Sequence, residues 1–156
     1  DDAYFIAWSS GRNYDERMPS TGGWRDRQRG LDVYGAFLSV QDGSLRAPPF
    51  AIASEIDYQQ MPAISYDPTA DRFLVVWYDL RRPPTGRDSD IYGRFVTPRG
   101  KMSGEFLVSE NEAIGTRKFP TVAYSPRSSR FLVLWEDGRG RVSGRARQIY
   151  GSPVVP

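Results

Sequence analysis

Two stretches decide the fold: Arg72-Phe73-Leu74-Val75-Val76-Trp77-Tyr78-Asp79 and Arg130-Phe131-Leu132-Val133-Leu134-Trp135-Glu136-Asp137. They lie 58 residues apart, and the same offset holds on both sides of them. Upstream, Pro62-Ala63-Ile64-Ser65-Tyr66-Asp67-Pro68 matches Pro120-Thr121-Val122-Ala123-Tyr124-Ser125-Pro126. Downstream, Ile91-Tyr92-Gly93 matches Ile149-Tyr150-Gly151. Of the 37 aligned pairs that start at Pro62 and Pro120, 17 are identical without a gap. Identity at that level marks a structural repeat, and a repeat constrains the fold more than any local propensity does. A third copy lies further upstream. Asp32-Val33-Tyr34-Gly35 precedes Asp90-Ile91-Tyr92-Gly93 by 58, whereas Tyr4-Phe5-Ile6-Ala7-Trp8 precedes Phe73–Trp77 by 69. The difference places an 11-residue insertion between Trp8 and Tyr34.

Each repeat reads as four short strands separated by turn residues. Strand A is Ala63–Tyr66, and Asp67-Pro68-Thr69-Ala70-Asp71 turns the chain. Strand B is Phe73–Tyr78, strand C Asp90–Val96, and strand D Phe106–Ser109 after a turn at Gly100. In the first repeat Asp42-Gly43 is a hairpin signal. No stretch carries helical periodicity. Strand B is apolar on both faces, which requires a sheet covered on both sides. Consecutive blades of a β-propeller supply that cover, because each four-stranded sheet packs between two neighbours. A β-sandwich is the alternative all-β architecture, but it leaves a four-strand repeat of this length without a cause. The expected fold is therefore an all-β propeller segment of about three blades and ten strands. Its boundaries are blade 1 over 1–57 (strands B–D, with an inserted B–C loop over 9–31), blade 2 over 58–115 and blade 3 over 116–156. Propellers close with four to eight blades, so the ring is incomplete in this chain alone. Open ends would expose strand edges and apolar faces.

Composition narrows the chemistry. Cysteine and histidine are both absent from the 156 residues, which removes disulfides, thiolate and imidazole metal ligands, and cysteine or histidine catalysis. Apolar residues make up 39% and aromatics 13%, enough for a packed core rather than a disordered chain. No run approaches the ~20 apolar residues of a membrane helix. The start, Asp1-Asp2-Ala3-Tyr4, has no secretory leader pattern and reads as an internal or processed start. Net charge is +2, with 21 basic and 19 acidic residues intermixed. No basic stripe stands out, so nucleic acid is not an expected partner.

The pattern Pro-x-x-x-Tyr, then Phe-Leu-Val-x-Trp-x-Asp-x-Arg, then Asp-Ile-Tyr-Gly resembles tandem repeats of large bacterial and archaeal secreted or surface proteins. That resemblance implies an extracellular or cell-surface β-propeller without an assigned activity. The Gly-His signature of tryptophan–aspartate repeats and the Ser-x-Asp-x-Gly-x-Thr-Trp box of sialidases are both missing.

Repeated residues build the scaffold, and unrepeated ones are where a site is sought. Trp8, Trp77 and Trp135 recur at one strand position and read as blade packing. Tyr34-Gly35, Tyr92-Gly93 and Tyr150-Gly151 mark close approach inside a strand. Asp79 and Asp137 close strand B, while Asp32 and Asp90 open strand C. Three readings are open for them: a hairpin lock pairing Asp79 with Arg81 and Asp137 with Arg139, a calcium site at Asp79 and Asp90, or an acid/base pair. Ser10 and Gln148 replace aspartate in blades 1 and 3, which does not suit a metal site in every blade. Glu136 stands alone and is expected to face solvent or an arginine.

The insertion carries the candidates for ligand or partner contact, Arg12, Tyr14, Trp24, Arg25, Arg27 and Arg29. Asp57-Tyr58-Gln59-Gln60 and Thr116-Arg117-Lys118 are read as D–A connections on the same face. The function expected is a non-catalytic propeller module that binds protein or glycan, or a structural part of a surface assembly. Its partners would be other protein chains, copies of itself or glycans, with no cofactor, no nucleic acid and no membrane insertion. Two alternatives accompany it: a polysaccharide-active enzyme fragment, drawing on Asp15, Glu16, Asp79 and Asp90, and a self-assembling half-propeller.

Overall fold

The computed structural model describes residues 2–11, 31–55, 58–81, 89–109, 115–138 and 147–156. These form ten strands in three antiparallel sheets, with no helix among the described residues. The first sheet has the order β1 (Ala3–Ser10), β2 (Asp32–Ser39), β3 (Phe50–Ala53). The second is β4 (Gln59–Asp67), β5 (Arg72–Asp79), β6 (Asp90–Val96), β7 (Phe106–Leu107). The third is β8 (Arg117–Ser125), β9 (Arg130–Asp137), β10 (Gln148–Val154). Every sheet is a meander in which sequence neighbours pair.

The expected strand B follows from its burial on both sides. In β5, Leu74 to Trp77 are fully buried. Val75 and Trp77 pack with Val33, Phe37 and Ile52 of the first sheet. Leu74, Val76 and Tyr78 pack with Phe131, Val133 and Trp135 of the third. The second sheet is thus the filling between two others, which explains why its central strand does not alternate. The expected strand C, Asp90–Val96, coincides with β6.

The expected strand A was too short at its start. β4 begins at Gln59 and β8 at Arg117, four residues before Ala63 and Thr121. Gln59, Gln60, Arg117 and Lys118 are therefore strand residues rather than connections. The polar sequence disguised them, and so did a bulge: the register shifts between Gln60 and Ala63, and again between Lys118 and Thr121. Met61 and Phe119 take positive φ within these bulges, at 53° and 54°. Strand D is shorter than the expected Phe106–Ser109. Pairing in register ends at Leu107, because the N–H groups of Val108 and Ser109 both converge on the Ile91 carbonyl.

The turns repeat as well. Asp67 accepts the N–H groups of Thr69 and Ala70, an Asx turn that holds the β4–β5 hairpin. Asp71 and Ser129 close the two equivalent hairpins at φ 47° and 50°. Gly35 sits where an added Cβ would come within 2.7 Å of Ile52 Cδ1 and 2.9 Å of Phe5. That is why the Tyr-Gly pair recurs in the strand.

Candidate functional site

The titratable residues of the repeat gather at one end of the sheets, where β5 and β9 finish, β6 begins, and β4 and β8 start. Asp79 and Asp90 are directly opposite each other in the β5–β6 ladder. Both are buried, and each has structural partners. Asp79 Oδ2 accepts the Trp77 indole N–H at 3.0 Å and the Arg81 guanidinium, while its Oδ1 accepts the Arg81 backbone N–H at 2.8 Å. The Asp79–Arg81 hairpin lock is present. Arg81 also reaches Glu105 at 2.6 Å and stacks over the Tyr92 ring at 4.3 Å. Glu105 in turn meets Arg94, whose Nη1 donates to the Ile52 carbonyl at 2.6 Å. This chain of charges fastens the second sheet to the first. Burial works against the Arg81 charge, but its bonds to Asp79 and then Glu105 outweigh that and raise its pKa above the ordinary arginine value.

The corresponding junction between the second and third sheets is built on Arg117. This side chain is 1% exposed. Nη1 donates to Asp90 Oδ1 at 2.7 Å, and Nε lies 3.3 Å from Asp137 Oδ2. Asp90 also accepts the Ser109 hydroxyl, whose oxygen receives the Ile91 N–H. Asp137 accepts the Trp135 indole N–H at 3.1 Å. Ser89 holds the Arg117 backbone from both sides, donating to its carbonyl and accepting its N–H. One guanidinium therefore bridges two buried carboxylates from different sheets.

At the equivalent place one repeat earlier stands Gln59. It is completely buried, and neither its amide oxygen nor its amide nitrogen has a hydrogen-bond partner among the described residues. Its backbone N–H donates to Leu31. The carboxylate opposite, Asp79, is served by Arg81 instead. The two junctions reach charge balance by different residues.

Trp77 and Trp135 are buried, at 0% and 3% exposure, and aim their N–H groups at the aspartate two residues on. Trp8, with Ser10 in place of that aspartate, is half-buried and stacks near Tyr34 at 6.3 Å. Glu136 pairs with Arg147 at 2.8 Å on the surface, as expected of a lone glutamate. Arg139 and the insertion residues Arg12, Tyr14, Trp24, Arg25, Arg27 and Arg29, with Asp15 and Glu16, lie outside the described residues.

Arg117, Gln59 and Glu105 were not singled out by the sequence as members of this network. The repeat offset held a signal for the first two, since it sets Arg117 over Gln59 at the head of the same strand. Among the described residues no group of three or more acidic side chains is arranged to hold a metal ion.

The sequence matches no protein-family description and no curated protein. In structure the chain is similar to an alpha-L-arabinofuranosidase from Lactobacillus brevis, with a TM-score of 0.56 at 11% identity. The likeness covers 97% of this chain and 50% of that one, so the chain spans about half the length of the protein it matches. At that identity the likeness carries the all-β architecture and no residue roles.

Proposed function

We propose that this chain is three consecutive blades of a β-propeller, with boundaries at 1–57, 58–115 and 116–156, and that it serves as a non-catalytic binding or structural module. Its partners are other protein chains, copies of itself or glycans, met at the end of the sheets where Arg12, Tyr14, Trp24, Arg25, Arg27 and Arg29 belong to the connecting segment between β1 and β2. The observation that carries this reading is the occupation of the recurring carboxylates. Asp79, Asp90 and Asp137 are each buried and bonded to a guanidinium or an indole N–H. A general acid or base must reach a substrate proton, and these groups are spent on joining strands and sheets. The same partners compete with calcium for Asp79 and Asp90. An extracellular or surface location follows the resemblance of the repeat. No helix of the described residues is long and apolar enough to cross a membrane.

The test is a glycan array together with binding to candidate surface proteins, using the intact chain and a Trp24→Ala/Arg25→Ala/Arg27→Ala variant. Specific binding that the variant loses supports the module. Binding to any partner that the variant keeps unchanged removes the insertion from the site.

A second reading, a polysaccharide-active segment, is favoured by the likeness to an arabinofuranosidase. Hydrolysis across a panel of arabinose-containing glycans, abolished by Asp79→Asn or Asp90→Asn in a folded protein, would establish it over the first.

A further inference from the structure

The bulges of β4 and β8 each hold a bulky apolar residue in a conformation that such residues rarely adopt. Met61 has φ 53° and Phe119 has φ 54°. Left-handed backbone is an outlier for a large side chain. Each also precedes a proline, Pro62 or Pro120, where extended backbone is the norm. Strain of this kind persists where something other than local preference fixes it, and it gathers at ligand clamps. Glycine would relieve it, yet the two repeats carry methionine and phenylalanine. Geometry and apolar character recur at this position while the residue itself changes.

Both side chains stand open, at 43% and 46% exposure. β4 and β8 lie inside the chain, and each is the first strand of its own sheet. The opening is therefore common to two repeats. Tyr78 joins the two bulges. Its hydroxyl donates to Gln60 Oε1 at 3.0 Å, and the Lys118 ammonium lies 5.8 Å from its ring centroid. Gln60 immediately precedes Met61, and Lys118 immediately precedes Phe119. The Met61 N–H donates to Ser9 Oγ at 3.0 Å, which fixes the first bulge against the neighbouring sheet. Glu136 stands across the ladder from Lys118, but its carboxylate pairs with Arg147. Lys118 makes no ion pair among the described residues.

An exposed ring and thioether beside an ammonium and a neutral amide suit a ligand with an apolar face, hydroxyl groups and a negative charge. A polypeptide laid along these strands suits them less, because each bulge interrupts the row of N–H and C=O groups that an added strand pairs with. The intermixed charges of the chain do not suit nucleic acid. We propose that Met61 and Phe119 form a platform for an acidic glycan. The apolar face of a uronate sugar lies on the Phe119 ring, its carboxylate meets the Lys118 ammonium, and the Gln60 amide N–H donates to a hydroxyl. Met61 supports the adjoining sugar. This platform deepens the binding-module reading above and rests on it.

The probes are tetrasaccharides of galacturonate, of guluronate and of hyaluronan, with galactotetraose as the neutral comparator, each titrated calorimetrically onto the intact chain. The expected result is saturable binding of at least one acidic tetrasaccharide, at least about tenfold tighter than the neutral one. Phe119→Gly weakens that binding at least about tenfold, and Lys118→Gln removes the preference for the acidic sugar. Phe119→Gly also leaves the urea unfolding midpoint unchanged or higher, since glycine relieves the backbone. A midpoint that falls makes Phe119 a packing residue and overturns the platform. So does the absence of saturable binding to all three acidic sugars, or binding that Lys118→Gln leaves unchanged. A polyglutamate peptide that binds as tightly as the sugars overturns the glycan as occupant. Failed sugar binding alongside Trp24-dependent binding of another partner sinks the platform and leaves the module standing. Sugar binding that survives in the Trp24 variant but not in Phe119→Gly keeps the platform and removes the insertion from the site.

Discussion

Replacing Arg117 by glutamine should cost this protein a large part of its stability. The substitution copies the residue found at the equivalent position of the preceding repeat, so strand propensity and the bulge are left alone. What changes is charge. Asp90 and Asp137, both 1% exposed, lose the guanidinium that lies 2.7 and 3.3 Å from them. Breaking a buried pair by removing one partner costs about 3–5 kcal/mol, because the remaining charge is left uncompensated. Each carboxylate keeps at least one neutral donor, Ser109 and Trp135, which points to the lower end, about 3 kcal/mol. With a urea slope near 2 kcal/mol/M, the unfolding midpoint should fall by about 1.5 M with the slope unchanged. A double change to Arg117→Met/Asp90→Asn should recover part of the loss, since it removes one of the stranded charges. A loss under about 1 kcal/mol for Arg117→Gln would refute the view that this arginine balances two sheets.

The preceding junction should respond in the opposite sense. Gln59→Leu removes two buried amide atoms that have no hydrogen-bond partner among the described residues, so stability should hold or rise by about 1 kcal/mol in the same urea assay. Gly35→Ala places a Cβ 2.7 Å from Ile52 and 2.9 Å from Phe5, and should lower stability by about 1–3 kcal/mol. Asp67 gives a pH dependence of known sign. Burial alone would raise its pKa, but a nearby Tyr124 hydroxyl and the N–H groups of Ala70 and Thr69 hold it below the ordinary value of 3.8. A carboxyl whose folded pKa is depressed contributes stability above its unfolded pKa and loses it as pH falls through the folded one. Wild type should therefore lose stability below about pH 4 more steeply than Asp67→Asn, measured by thermal unfolding across pH 2–6.

The strands that the sequence made legible are those on which two independent signals agree. Strand B recurs with its tryptophan and is apolar on both faces, and β5 extends one residue beyond the expected limits at each end. The Asp79–Arg81 lock was legible because both partners lie within one turn of chain. Its extension to Glu105 and Arg94 was not, because those contacts depend on how the sheet folds back on itself. Arg117 looks like a loop residue in the sequence for the same reason. Its partner Asp90 is 27 residues away on another sheet, and a charged residue with no visible partner is ordinarily assigned to solvent. The expected strands were shorter than β4 and β8 because a polar pair followed by apolar-Pro imitates a connection. The exposure of Tyr4 and Ile6 was not legible in the sequence, since their residue types are those of a core.

On the proposed reading these three sheets are blades of a ring that further sheets complete. A crystal structure of the intact particle as it occurs naturally decides the matter. The expected result is a closed ring of at least four sheets around one axis, with β4, β8 and their counterparts innermost and the β1 edge paired. A particle of three sheets alone, or three sheets folded into a sandwich with β1 unpaired, would contradict it.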